Sequence, residues 1–387
     1  MKMTFINASV CTDAGIISAN VVTENGKIVR ITNTVPEDSE VFDCGGRLLA
    51  PGYIDLHVHG GGGRSVMEGT EDAILSMAQA HFAFGTTSIL PTTLSMPIPA
   101  MKQAGDAIIS AMKRETPYTI LGVHHEGPCL SPAQGGAQST DALKIPARTD
   151  LTDLIEGCFE LKMMGVAPEL EGAYELADRL SARGVVVSVA HSDAEFAQVE
   201  AGIAHGFCDV THLYSGCSMV VRKNAFRVAG VVEAGLYFDS LTTQVIADGC
   251  HLPLSLLKLI YKCKGKDGMY PVTDGLEFSA AEAKEGETYV QRNGQACVYE
   301  DGVMKLPDRK AFAGSVATMS RLVRVLVKAG IPVEDALYMA SAVPAKRLGM
   351  TNKGHIRPGC DADMVLLDKE LYVKKVIAKG VIYDGRE

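Results

Sequence analysis

Two histidines one residue apart, His57 and His59 in PGYIDLHVHGGGG (residues 51–63), are the first side chains whose type and spacing could do chemistry. Residues 53–58 read as a short apolar strand, and residues two apart on a strand point to the same side, so the two imidazoles converge on one point. The four glycines behind them let the backbone turn sharply and come close to whatever occupies that point. Comparable residues recur along the chain: Glu126 in HHEGP, His191 in VAHSDA, His212 in THLY, Asp248 and His251 in ADGCH, and Asp274 in VTDG. A single such residue would be an ordinary strand end or a satisfied core histidine, but a series of them is a constellation. Imidazoles with a carboxylate make a ligand set for zinc, iron or manganese that leaves positions open for water and substrate. A metal so held acidifies a bound water and polarises a carbonyl. Asp274 then suits the proton shuttle that amide hydrolysis needs, taking a proton from water and returning it to the leaving nitrogen.

These residues must be positioned by the elements between them. Short apolar runs at 53–58, 86–90, 119–124, 163–167, 185–190, 208–212, 243–247 and 270–273 read as strands. Amphipathic segments at 71–84, 98–113, 151–161, 173–183, 194–205, 254–263, 316–329 and 333–348 read as helices. Strands alternating with helices predict a parallel α/β architecture, and eight strands close a (β/α)8 TIM barrel. In such a barrel the active site lies at the C-terminal ends of the strands, where most of the reactive residues fall. An excursion over 275–310 carries turn signals at Asn293-Gly294 and Asp301-Gly302. Both chain ends instead alternate short β-rich runs with turns, which predicts one β-sandwich from residues 1–50 and 355–387, the barrel filling 51–354.

The remaining histidines divide on the same frame. His81 lies in an apolar helix and His205 ends one before Gly206, which suits core and capping roles. His124 and His125 flank Glu126, so one of them must face the barrel wall, and His355 falls in the terminal β unit with no assigned role.

Composition narrows the class of function. The 387 residues are 47% hydrophobic and 21% charged, as in a globular protein able to bury a large core. A net charge of −9 argues against nonspecific nucleic-acid binding, so any anionic substrate needs a local cluster of cations. The N-terminus lacks a signal-peptide core and no run is long enough for a membrane helix, which predicts a soluble cytoplasmic protein. The ten cysteines form no CxxC pair and read as reduced, mostly buried small residues.

The ordered set of motifs, from PGYIDLHVHG through HHEGP, VAHSDA, THLY, ADGCH, VTD and FAGS to GHIRPGCDADMVLLD, resembles the amidohydrolase superfamily and, within it, the N-acetylglucosamine-6-phosphate deacetylase family. The resemblance covers essentially the whole chain. It implies that Glu126, His191 and His212 bind the catalytic divalent metal, zinc or iron, that Asp274 is the acid/base, and that His251 contacts substrate. Family members that keep HxH can hold a second metal, so His57 and His59 imply a binuclear site bridged by Glu126. Backbone around Ala137-Gln138, Ser215-Gly216 and Phe312, Ala313 and Gly314 is implied to line the sugar pocket. The implied partners are a small amino-sugar phosphate and a second copy of the chain, since a homodimer is expected and the neighbouring subunit can complete the phosphate pocket.

Three departures bear on substrate. Gln138 stands where many members have histidine and can hydrogen-bond the acetamide without carrying charge. Ser215 replaces the usual asparagine after THLY, inside SGCSMVVRKNAFR, and the phosphate-binding cation falls in that stretch on Arg222, Lys223 or Arg227. A guanidinium grips phosphate through two hydrogen bonds, which favours Arg222 over the aligned Lys223. The wording from Gly275 onward also differs. Alternatives are the same chemistry on N-acetylgalactosamine 6-phosphate or another N-acyl compound, and a noncatalytic sugar-phosphate sensor. Asp274 argues against the sensor, because a binding protein needs no proton shuttle.

Overall fold

The computed structural model describes residues 2–136, 138–291, 296–310 and 312–386. Eight parallel strands follow one another around a barrel: Tyr53–Val58, Thr86–Thr93, Val123–Glu126, Leu161–Val166, Val186–Val189, Phe207–Val210, Thr242–Val245 and Met269–Pro271. The eighth meets the first just beyond its end, where Val58 bridges Gly275 and the Asp274 N–H donates to the His57 carbonyl at 2.9 Å. The strands are buried along almost their whole length because both of their faces are covered. The helices outside bury one stripe each. In Met319–Lys328, for example, Met319, Leu322, Val323 and Leu326 face the core at the 3, 4 and 7 spacing, and Thr318 caps the helix by accepting the Arg321 N–H.

The eight predicted strands and the closed barrel are all present, with boundaries moved where local chemistry intervenes. The predicted strand 119–124 breaks into Thr119–Ile120 and Val123–Glu126. Gly122 between them has φ +142°, and a Cβ there would lie 2.5 Å from the Glu160 carbonyl. The predicted helix 151–161 is only Thr152–Ile155, since Gly157 stops it and Leu161 already begins the fourth strand. The predicted helix 333–348 is two helices, Val333–Met339 and Ala342–Arg347. Pro344 has no N–H to offer the Ala340 carbonyl, which accepts instead from Ile54 N–H of the first barrel strand at 3.0 Å. Between the sixth and seventh strands lie two elements that were not expected, a hairpin of Val221–Lys223 with Phe226–Val228 and helix Val231–Tyr237.

The two chain ends join in a single eight-stranded sheet around its own core, with Phe5, Val10, Val21, Ile28, Leu49, Met364, Leu366 and Ile377 buried together. Leu48–Pro51, absent from the predicted strands, pairs with Lys2–Thr12 on one side and Met364–Leu367 on the other, and leads directly into the first barrel strand. The excursion after the eighth strand forms a four-stranded sheet that ends in Phe312–Gly314. Its turn at Asp301-Gly302 is present, with both residues at positive φ, while Asn293-Gly294 lies outside the described residues. Among the described residues no helix is long and apolar enough to cross a membrane.

Candidate active site

The first strand ends as its period dictates. His57 and His59 bring their Nε2 atoms within 3.1 Å of each other at the C-terminal mouth of the barrel. Glu126, at the end of the third strand, lies between them and the pair from the fifth and sixth strands. Its Oε1 is 3.1 Å from His191 Nε2 and 2.9 Å from His212 Nε2, and its Oε2 is 3.1 Å from His59 Nε2. Two groups of donors therefore share one carboxylate: His57, His59 and Glu126, and Glu126, His191 and His212, all buried. Asp274 Oδ1 faces the first group, 3.1 Å from His59 Nε2 and 3.4 Å from His57 Nε2.

The backbone is bent to present these side chains. His191, His212 and Asp274 take φ of 41°, 26° and 45° where the fifth, sixth and eighth strands end. A left-handed conformation at a residue with a Cβ costs on the order of 1–3 kcal/mol and persists only where its surroundings hold it. Part of that hold is visible at Asp274. The neighbouring Thr273 hydroxyl donates to buried Asp55 Oδ2 at 2.5 Å, and the His57 and Thr273 N–H groups both point at Asp55 Oδ1 at 3.3 Å. At the sixth strand, Gly216 has φ +56° and a Cβ there would lie 2.6 Å from His191 Nδ1, so only glycine leaves room for that ring.

The rear nitrogen of every ring says what the front nitrogen can do. His59 Nδ1 lies 3.0 Å from the Thr92 carbonyl, His191 Nδ1 2.8 Å from the Gln134 carbonyl and His212 Nδ1 3.0 Å from the Ser215 carbonyl. A carbonyl only accepts, so each Nδ1 carries the proton and each Nε2 presents a lone pair to the centre. His57 Nδ1 likewise faces an amide oxygen, Gln244 Oε1, at 3.0 Å. Four lone pairs and a carboxylate aimed at a common space repel one another unless positive charge stands among them. That is the donor arrangement of a metal site, with each ring oriented from behind. The electrostatics agree. Burial opposes charge on His59, yet the Asp274 and Glu126 carboxylates raise its pKa to about 10. Burial equally opposes charge on Glu126, and the surrounding imidazoles, His57 and His191 foremost, hold it well below the usual carboxylate range. Against the same burial, His57 and His59 bring Asp274 down to about 2. The residues fit a divalent cation in both donor groups.

A cavity of about 230 Å³ opens above the donors, and Gln138, Ser215, Gly216, His251, Phe312, Ala313 and Gly314 line it together with His59, Glu126, His191, His212 and Asp274. His57 lies below it, fully buried. Asp248 orients His251 by accepting from its Nδ1 at 2.7 Å and from its backbone N–H at 2.8 Å, and the Phe312 ring packs on it at 4.7 Å. Gln138 is placed differently from the sequence expectation. Its Nε2 donates to Glu126 Oε2 at 2.7 Å and its Oε1 accepts the Ser95 N–H at 2.9 Å, so its amide is directed at the bridging carboxylate and a loop rather than at a substrate acetamide. Ala137 lies outside the described residues.

Arg222, Lys223 and Arg227 do not reach this cavity, and among the described residues no lysine or arginine lines it. Residues 221–228 fold back on themselves with Asn224 and Ala225 at positive φ in the turn, which sets Arg222 opposite Arg227 on an exposed hairpin and pairs Lys223 with Glu195 at 2.6 Å. The other histidines are structural. His81 donates from Nε2 to the Gly60 carbonyl at 2.9 Å, fixing the glycine run. His205 caps its helix and pairs with Asp178. His124 and His125 turn Nδ1 towards Thr92 and Thr93 hydroxyls and belong to neither donor group, and His355 pairs with Asp13. Sequence reasoning missed Gln244, Asp55, Leu94, Ile246 and Leu276. A carboxylate inside the apolar strand 53–58 was a usable signal for Asp55, whereas the carbonyls of Thr92, Gln134 and Ser215 leave no trace in side-chain identity.

Comparison with known proteins agrees with this geometry. The chain is 31% identical to the N-acetylglucosamine-6-phosphate deacetylase of Vibrio furnissii over 94% of its length and 90% of the relative's. It is 30% identical to the N-acetylgalactosamine-6-phosphate deacetylase of Escherichia coli O157:H7, over 89% and 90%. The crystal structure of N-acetylglucosamine-6-phosphate deacetylase from Pasteurella multocida superposes with a TM-score of 0.92 over all of both chains at 26% identity. With a family model matched along residues 48–383 and relatives of these names at this identity, the chain belongs to the amidohydrolase family, among the 6-phosphate deacetylases of N-acetylated amino sugars.

Proposed function

We propose that the protein hydrolyses the acetamide of N-acetylglucosamine 6-phosphate to glucosamine 6-phosphate and acetate. The observation that carries the reading is the pair of donor groups sharing Glu126 with a free carboxylate, Asp274, beside them in one cavity. Glu126, His191 and His212 would hold one divalent cation, zinc or iron, and His57 and His59 with Glu126 would hold a second. Bound there, the metal supplies Lewis acidity, polarising the scissile carbonyl and acidifying water. Asp274 accepts the proton of the attacking water and delivers it to the departing nitrogen. The neighbouring imidazoles keep this carboxylate ionised, so it is available as the acceptor at neutral pH. His251, held by Asp248, and the backbone of Ser215, Gly216, Ala313 and Gly314 orient the sugar.

The phosphate needs a cation, and among the described residues no lysine or arginine lines the cavity. The exposed hairpin carries Arg222 and Arg227 beside Val220, Val221 and Phe226, and Phe226 is 77% exposed. We read it as the contact with a second copy, whose cavity one of these arginines completes, so that the working form is a cytoplasmic homodimer. The galactosamine epimer is the second reading, favoured by relatives of that name at the same level of identity.

Asp274→Asn tests the chemistry. It is expected to retain metal and bind substrate while turnover falls about 10²- to 10⁴-fold. Near-normal turnover would remove Asp274 from its role.

A further inference from the structure

Beneath the metal-ligand candidates the barrel interior holds a buried carboxylate that the proposed chemistry does not use. Asp209, in the sixth strand, is fully buried and receives hydrogen bonds from four side chains while offering none. Tyr270 Oη donates to both of its oxygens at 3.1 Å, Ser188 Oγ to Oδ2 at 3.0 Å, Gln244 Nε2 to Oδ2 at 2.8 Å, and the Thr242 hydroxyl to Oδ1. Arg347 approaches from the opposite mouth, bonded to Thr242 and to the Cys208 carbonyl. Gln244 stands between this carboxylate and His57, and both residues are fully buried.

An amide side chain has one donating and one accepting end, and nothing intrinsic fixes which way it points. Here the partner fixes it. As a carboxylate ringed by the Ser188, Thr242 and Tyr270 hydroxyls, Asp209 accepts, so Gln244 turns its NH2 downward, and Oε1 then faces His57 Nδ1 at 3.0 Å. The reversed amide would set NH2 against Nδ1, force the proton of His57 onto Nε2, and put an N–H where a lone pair is needed. His59, His191 and His212 need no such device, because fixed backbone carbonyls hold them. We propose that Asp209 and Gln244 are positioning residues for the metal, a two-residue relay that locks His57 in the tautomer able to ligate the cation shared with His59. The proposal rests on the reading of His57 and His59 as ligands of one of two cations.

The two donor groups give the test an internal control. Zinc titrations against a competing chromophoric chelator would be run on wild type, Gln244→Met and Gln244→Glu. Wild type is expected to bind two ions. Gln244→Met keeps the volume and removes the acceptor, so one ion should bind as in wild type while the other weakens about 10- to 100-fold, the usual effect of losing such a supporting partner. Gln244→Glu should restore it, since a carboxylic acid donates to Asp209 through its O–H and accepts from His57 through its C=O. Should Gln244→Met not fold, Asp209→Asn serves, because an asparagine NH2 frees Gln244 to turn over, and the same selective weakening is expected. Equal weakening of both ions marks a structural role and overturns the relay, as does wild-type affinity for both. Wild type binding a single ion overturns the two-cation reading itself, and the relay with it, before any variant is compared.

Discussion

Gln138 separates two accounts of how this cavity works. If the amide grips the substrate acetamide, Gln138→Leu raises KM and leaves the metal alone. In the structure both ends are engaged, one with Glu126 Oε2 at 2.7 Å and the other with the Ser95 N–H at 2.9 Å. A hydrogen bond to a charged group contributes about 1.5–3 kcal/mol, which at about 1.4 kcal/mol per decade is roughly 10- to 150-fold in a binding constant. Glu126 is shared by both donor groups, so Gln138→Leu should weaken both ions by a factor in that range. The metal-saturated variant should show a KM close to wild type. Leaving the Ser95 N–H without its partner should also lower the stability of the metal-free protein by about 1–3 kcal/mol. The assays are zinc affinity by chelator competition, steady-state acetate release at saturating metal, and urea unfolding of the chelated protein. Unchanged zinc affinity with a raised KM would instead assign the amide to the substrate.

Three further outcomes follow from the same geometry. Gly216→Ala puts a Cβ 2.6 Å from His191 Nδ1 and so should weaken selectively the ion held by Glu126, His191 and His212, the reverse of the pattern expected for Gln244→Met; zinc titration reads both, and an unaffected ion at His191 would count against the packing argument. In the metal-free protein His59 is raised to about 10, so its contribution to stability is complete below its ordinary 6.5 and is lost as pH rises towards about 10. The melting temperature of chelated wild type should therefore fall over that interval more steeply than that of His59→Gln, and parallel curves would contradict the assignment. Lys353, buried, bridges Asp361 at 3.0 Å and Asp363 at 2.7 Å where the terminal sheet meets the barrel. Lys353→Met leaves Asp361 with Lys27 and Asn352 and Asp363 with the Lys379 N–H, and should destabilise by about 1–3 kcal/mol, read by urea unfolding; a loss within experimental error of zero would show the lysine to be dispensable.

What the sequence made legible was whatever lies in side-chain type and period. The spacing of His57 and His59 gave their convergence, since a strand has a period of two, and alternating strands and helices gave the barrel and with it the mouth where Glu126, His191, His212 and Asp274 meet. Boundaries were lost where a single contact decides them, as at Pro344, whose missing N–H splits one amphipathic helix into two. Gln138 was read by its capacity to hydrogen-bond, but its partners come from residues 95 and 126, and spacing along the chain does not reveal them. Arg222, Lys223 and Arg227 were read as the phosphate end of the cavity because the family's phosphate-binding arginine falls in that stretch. Eight residues of self-paired hairpin carry them away from the cavity. Gln244 and Asp209 look like ordinary polar residues of buried strands until the closed barrel brings side chains of the sixth, seventh and first strands together.

The reaction assigned to this cavity is hydrolysis of a phosphorylated amino-sugar acetamide. The direct measurement is acetate release by metal-loaded protein from N-acetylglucosamine 6-phosphate, its galactosamine epimer and unphosphorylated N-acetylglucosamine. Turnover of the first is expected to exceed that of the other two, to depend on metal and to be abolished by chelation. Metal-loaded protein that releases acetate from none of the three would contradict the assignment.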